Sequence, residues 1–69
     1  MTVNTIKLLH FLADELGGQE GRVDYNKAGK KCGLTYQGVR YAVGVLKRAG
    51  YISIKDGKIT VLQQNVKVG

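Results

Sequence analysis

At Gly50 the spacing of apolar residues changes from the helical period of about 3.6 to the strand period of 2. That switch divides the chain into helices followed by a hairpin. After Gly50 the runs Tyr51-Ile52-Ser53-Ile54-Lys55 and Lys58-Ile59-Thr60-Val61-Leu62 alternate, joined by Asp56-Gly57. A two-residue Asp-Gly connection favours a type I′ turn, which needs positive φ at both central residues and so sets the register. Ile54 is then expected opposite Ile59 and Ile52 opposite Val61 on an apolar face, with Ser53 opposite Thr60 and Lys55 opposite Lys58 on the other. Only the apolar face can cover the helices.

Before Gly50 the pattern predicts three helices. The first, from Thr2 to Leu16, places Ile6, Leu9, Leu12, Ala13 and Leu16 on one side and stops at Gly17-Gly18. Leu8 and Phe11 fall off that stripe. They either broaden it, for instance by meeting the C-terminal tail, or leave a ridge for a second copy of the chain. A polar loop from Gly17 to Arg22 leads to Val23, a candidate short strand, and to Asp24, an N-cap for a helix from Tyr25 to Cys32 that ends at Gly33. Thr35 supplies a cap for a third helix running to about Ala49. Its back carries Val39, Ala42, Val43 and Leu46, and its front Gln37, Arg40, Tyr41, Gly44 and Arg48.

With 69 residues there is room for one domain, placed at residues 1–62, and a short polar tail at 63–69. A chain this short buries only about 60% of its unfolded surface. With a single Phe and no Trp, its core must be built from Leu, Ile and Val, which argues against a large substrate cavity. One cysteine, Cys32, excludes an intramolecular disulfide, and one histidine, His10, excludes a His/Cys zinc pattern, so no metal or cofactor is expected. Cys32 falls where core is expected, and its expected role is packing rather than redox sensing. No stretch approaches the roughly 18 apolar residues of a membrane span, nothing has the form of a signal peptide, and a cytoplasmic protein is expected. With no nucleophile motif or phosphate loop, an enzyme is not expected.

The formal charge is +6, unevenly distributed. Residues 1–20 hold Lys7 against Asp14, Glu15 and Glu20, whereas residues 21–69 hold ten Lys and Arg against Asp24 and Asp56. A surface of that kind attracts polyanions by long-range steering and counterion release. Nucleic acid is the leading partner, ahead of an anionic membrane, and the bland alternative is a solvated basic surface.

Two short helices joined by a tight turn cross closely only with a small residue at the crossing, a glycine at the turn and apolar residues beneath the second helix. Gly29, Gly33, Leu34, Val39 and Ala42 supply these in order. Here the chain resembles the helix-turn-helix family. With a helix before the motif and a hairpin after it, it looks like the winged helix group of MarR-like and related small prokaryotic or mobile-element regulators. The resemblance covers residues 5–62. Its most diagnostic stretch is Gly33-Leu34-Thr35-Tyr36-Gln37-Gly38-Val39 through Val43, Leu46, Gly50 and Ile52. It implies an α+β, three-helix winged helix-turn-helix fold whose third helix enters the major groove of double-stranded DNA while the hairpin wing touches the backbone.

Carried over by position, Thr35, Tyr36, Gln37, Arg40 and Tyr41 become the DNA-contacting residues, joined by Lys47 and Arg48 on the same helix. Side-chain chemistry agrees: Arg40 can pair with guanine O6/N7 and Gln37 with adenine N6/N7, while Thr35 and Tyr36 suit a phosphate. Lys55 and Lys58 face each other at the hairpin end, and their repulsion would be relieved by a phosphate between them. The bland reading is a solvated edge whose lysines resist aggregation. Tyr41 either packs on a sugar or thymine methyl or covers the second helix. The expected role is a transcriptional regulator, acting as a homodimer or cooperative oligomer on paired half-sites. Replication or segregation of a mobile element fits equally well. The rival from another class is a winged helix used for protein–protein contact, marked by acidic or bulky apolar residues on the third helix. Recognition of left-handed DNA or double-stranded RNA fits less well, because such winged helices carry a tyrosine where Gly44 stands and prolines in the wing.

Overall fold

The computed structural model describes residues 1–64. In chain order these form α1 (Val3–Leu16), α2 (Tyr25–Cys32), α3 (Tyr36–Arg48), β1 (Ile52–Lys55) and β2 (Lys58–Val61). Three helices are followed by a two-stranded antiparallel hairpin, an α+β layout. No helix is long and apolar enough to cross a membrane.

Each helix starts where a short polar side chain can replace a missing intrahelical acceptor. Thr2, Asp24 and Thr35 are the three caps, accepting from the backbone N–H of Thr5, of Asn26 and Lys27, and of Gly38. Between α2 and α3 the chain reverses at Gly33, whose φ of 70° lies in the left-handed region that a Cβ disfavours.

α1 packs against α2, α3 and β2. Serving three neighbours, it buries a wider arc than a single stripe: Leu8, Leu9 and Leu12 are fully buried, with Thr5 and Ala13 beside them. Leu8 therefore belongs to the core, Phe11 packs half-buried against it, and Ile6, expected on the central stripe, stands at the margin. A ridge offered by Leu8 to a second copy is ruled out by that burial. Residues 65–69 of the predicted tail lie outside the described residues.

The back of α3 is as predicted, with Val39, Ala42, Val43 and Leu46 buried. Completing the core are Ala28 and Cys32 from α2, and Ile52 and Ile59 from the hairpin. Fully burying a Leu, Ile or Val contributes about 1.5–3 kcal/mol, so these few aliphatic side chains carry most of the apolar stabilisation.

The hairpin has the register expected from its turn: Ile52 opposite Val61, Ser53 opposite Thr60, Ile54 opposite Ile59 and Lys55 opposite Lys58. Asp56 and Gly57 have φ of 53° and 76°, the two positive values a type I′ turn requires. The short strand expected at Val23 is displaced. Its place is taken by a single bridge two residues earlier, where the Gly21 N–H donates to the Ile59 carbonyl at 3.1 Å and the Ile59 N–H to the Gly21 carbonyl at 2.8 Å. Gly21 presents no side chain, which allows this approach beside Leu16.

The α2–α3 crossing depends on Gly29. A Cβ there would run into the Leu34 carbonyl oxygen and press on Val39 Cγ2. That carbonyl cannot simply retreat, because the Leu34 N–H is held by the Gly29 carbonyl at 2.9 Å. Gly29→Ala is expected to cost about 1–3 kcal/mol through overpacking, read as a lower urea midpoint at unchanged m. A wild-type midpoint would contradict the close crossing.

Candidate functional site

With its back anchored, α3 turns its front outward. Gln37, Arg40, Tyr41, Lys47 and Arg48 are all exposed, and Gly44 lies among them at intermediate exposure. Tyr41 is 72% exposed, so it does not cover α2. None of these side chains pairs with a carboxylate among the described residues. The front is a polar, cationic surface with every donor available.

At the start of α3, the Thr35 hydroxyl accepts the Gly38 N–H at 3.0 Å. The cap takes up one of its lone pairs and leaves its O–H free to donate to an outside group. Tyr36 is half exposed and leans on Tyr25, the ring centroids 5.9 Å apart and the planes at 48°. Burial pushes the Tyr25 phenol above its ordinary range, Tyr36 adds to the rise, and Arg40 opposes it. The Arg40 charge is thus felt at the base of the same aromatic pair.

Lys55 and Lys58 stand opposite each other, exposed, at the end of the hairpin. A third cation joins them that sequence reasoning missed. Because Gly21 bridges Ile59 in antiparallel sense, the next residue, Arg22, comes level with Lys58. Its guanidinium reaches the turn, with Nη2–H donating to the Asp56 carbonyl at 3.2 Å. Placing the bridge at Gly21 instead of Val23 would have revealed this from the register alone.

On α2, Lys30 and Lys31 are exposed, but Lys27 is committed, its Nζ 2.8 Å from Glu15 Oε1 of α1. That hydrogen bond and the Glu15 charge raise the Lys27 pKa. Exposed cations without a carboxylate partner among the described residues therefore occur on α2 at Lys30 and Lys31, on the front of α3 and at the hairpin end. Cys32 is buried, and burial pushes its thiol up against a weaker pull from Lys7, which suits a core role rather than a reactive one. His10 is exposed, and no group of His, Cys, Asp and Glu able to hold a metal ion occurs among the described residues.

The described residues form a small α+β domain in which the front of α3 and the end of the hairpin both carry exposed cations. Compared with known proteins, the chain matches no family model, no curated protein and no solved structure.

Two glycines of α3 differ in what holds them there. A Cβ at Gly38 would crowd Thr35 Oγ1 at 3.3 Å and Leu34 Cδ2 at 3.4 Å, whereas at Gly44 it would meet only Arg48 Nη1 at an ordinary 3.6 Å. Nothing within the molecule requires glycine at position 44. Gly44→Ala is expected to stabilise the fold by about 0.5–1 kcal/mol, by removing backbone freedom from the unfolded chain. Thermal unfolding should show a midpoint a few degrees higher; a lower one would reveal an internal constraint at that position.

Proposed function

We propose that this chain is a winged helix-turn-helix domain that binds double-stranded DNA sequence-specifically, with α3 in the major groove and the hairpin as its wing. The observation that carries the proposal is the outward, unpaired front of α3, where Gln37 and Arg40 project from a helix whose back is sealed by Val39, Ala42, Val43 and Leu46. A B-form major groove admits one α-helix, and Arg and Gln side chains have the paired donor and acceptor geometry to distinguish guanine and adenine edges. Tyr41, Lys47 and Arg48 extend the same face. Lys55 and Lys58 sit where a wing contacts the phosphate backbone.

Net charge supports the same partner. A protein–protein module is the competing reading, and it calls for acidic or bulky apolar residues on α3, whereas the exposed residues of α3 include no carboxylate and no bulky apolar side chain except the phenols of Tyr36 and Tyr41. The role proposed is that of a cytoplasmic transcriptional regulator in the MarR-like and related group. One helix and one hairpin present a small surface, so two copies on paired half-sites belong to the proposal. Leu8, being buried, is not their contact.

Selection of bound duplexes from a random library at two salt concentrations tests the reading. Enrichment of a discrete sequence is expected, and recovery of none at either salt would refute specific binding. On the selected duplex, Arg40→Ala or Gln37→Ala should each cost about 1–3 kcal/mol and relax preference at one base position.

The wing is tested separately by charge reversal. Lys55→Glu with Lys58→Glu should weaken binding to all duplexes alike and flatten the dependence of affinity on salt. An unchanged affinity and slope would remove the wing from the interface.

A further inference from the structure

The hairpin turn and the starts of α2 and α3 enclose an open cleft of about 400 Å³, lined by Arg22, Val23, Asp24, Tyr25, Tyr36 and Gly57. Three features give it chemical character. Its one cation, Arg22, is held over the turn by the Asp56 carbonyl, and the rest of its guanidinium fork has no partner among the described residues. Its one carboxylate, Asp24, is turned into the start of α2, with Oδ1 accepting from the N–H of Asn26 at 2.9 Å and of Lys27 at 3.4 Å. The tilted Tyr25–Tyr36 pair also lines it and offers aromatic surface and two phenols.

Lys55 and Lys58 close the same turn, so Arg22 is one of three cations in register across the end of the hairpin. None of the three has a carboxylate partner among the described residues. A planar guanidinium fork matches two oxygens of a phosphate, and a sugar or base beyond that phosphate would lie against the tyrosine rings. An inorganic anion would use only the first of these features.

We propose that this cleft is a phosphoester site, in which Arg22 binds the phosphate and Tyr36, with Tyr25 behind it, packs on the attached sugar or base. Such a phosphoester has two sources, a backbone phosphate of duplex DNA or a free nucleotide. The first rests on the DNA-binding reading above; the second stands without it. In the duplex case Arg22 extends the wing contact toward α3, so that one strand is held between the hairpin and the start of that helix.

The experiment compares the wild-type chain with Arg22→Gln, which removes the charge and keeps a polar side chain, and with Tyr25→Phe as a variant that preserves packing. Thermal unfolding confirms that each is folded. Two probes are used, a generic 20-base-pair duplex followed across a salt series and thymidine monophosphate followed by amide chemical shifts. If the duplex is the source, Arg22→Gln weakens duplex binding by about tenfold or less and lowers the salt slope by about one. If a free nucleotide is the source, thymidine monophosphate shifts the amides of Arg22, Tyr25, Tyr36 and Gly57 saturably in the wild type, about equally in Tyr25→Phe and not in Arg22→Gln. A wild-type chain that binds the nucleotide but no duplex sinks the DNA reading and keeps the cleft. Duplex binding that Arg22→Gln leaves unchanged in affinity and slope, with no nucleotide response, overturns the cleft and keeps the DNA reading.

Discussion

The crossing of α2 over α3 at Gly29 is the contact on which the arrangement of this molecule depends. With no Cβ at that point, the backbone of Leu34 lies directly against α2, and the chain can turn at Gly33 into a helix packed across its predecessor. The consequence is an orientation. Val39, Ala42, Val43 and Leu46 are driven into the core, and the opposite side of α3 must then face solvent. Since burying an unpaired guanidinium or amide is costly, the polar residues collect on that side, and an exposed cationic face arises from the same partition that stabilises the fold.

The hairpin contributes a second organising element through β2. Ile59 pairs with Ile54 on one side and Gly21 on the other, so β2 is the central strand of a small sheet although its outer neighbour is a single residue. Its apolar face closes the core against α1, while its turn end projects cations away from it. The bridge at Gly21 also ties the loop before α2 to the hairpin. That tie brings Arg22, the Asp56-Gly57 turn and the tyrosines at the helix starts around one cleft.

Glycine serves unlike purposes in α2 and α3. Gly29 is required by backbone contact and Gly38 is favoured by the closeness of the Thr35 cap and Leu34, whereas at Gly44 a Cβ would make only an ordinary contact with the end of Arg48 on a helix that alanine would strengthen.

The three helices, their caps, the buried face of α3 and the register of the hairpin were all legible in the residues. Each is governed by local rules: a period, a capping hydroxyl or carboxylate, and a turn that demands positive φ at Asp56 and Gly57. The exposed face of α3 followed as the complement of its buried one. What local rules did not supply was the width of the buried arc on α1, where contact with α2, α3 and β2 together drew Leu8 inward and left Ile6 at the edge. Nor did they supply the bridge at Gly21, the pairing of Lys27 with Glu15, or the meeting of Arg22 with the hairpin turn. Those depend on how separate elements are placed in space, and periodicity describes one element at a time. By itself, then, the sequence determined which segments are helix and strand and which side of α3 is oily; tertiary packing alone decided how many neighbours each element has, and hence which charges are neutralised and which remain free.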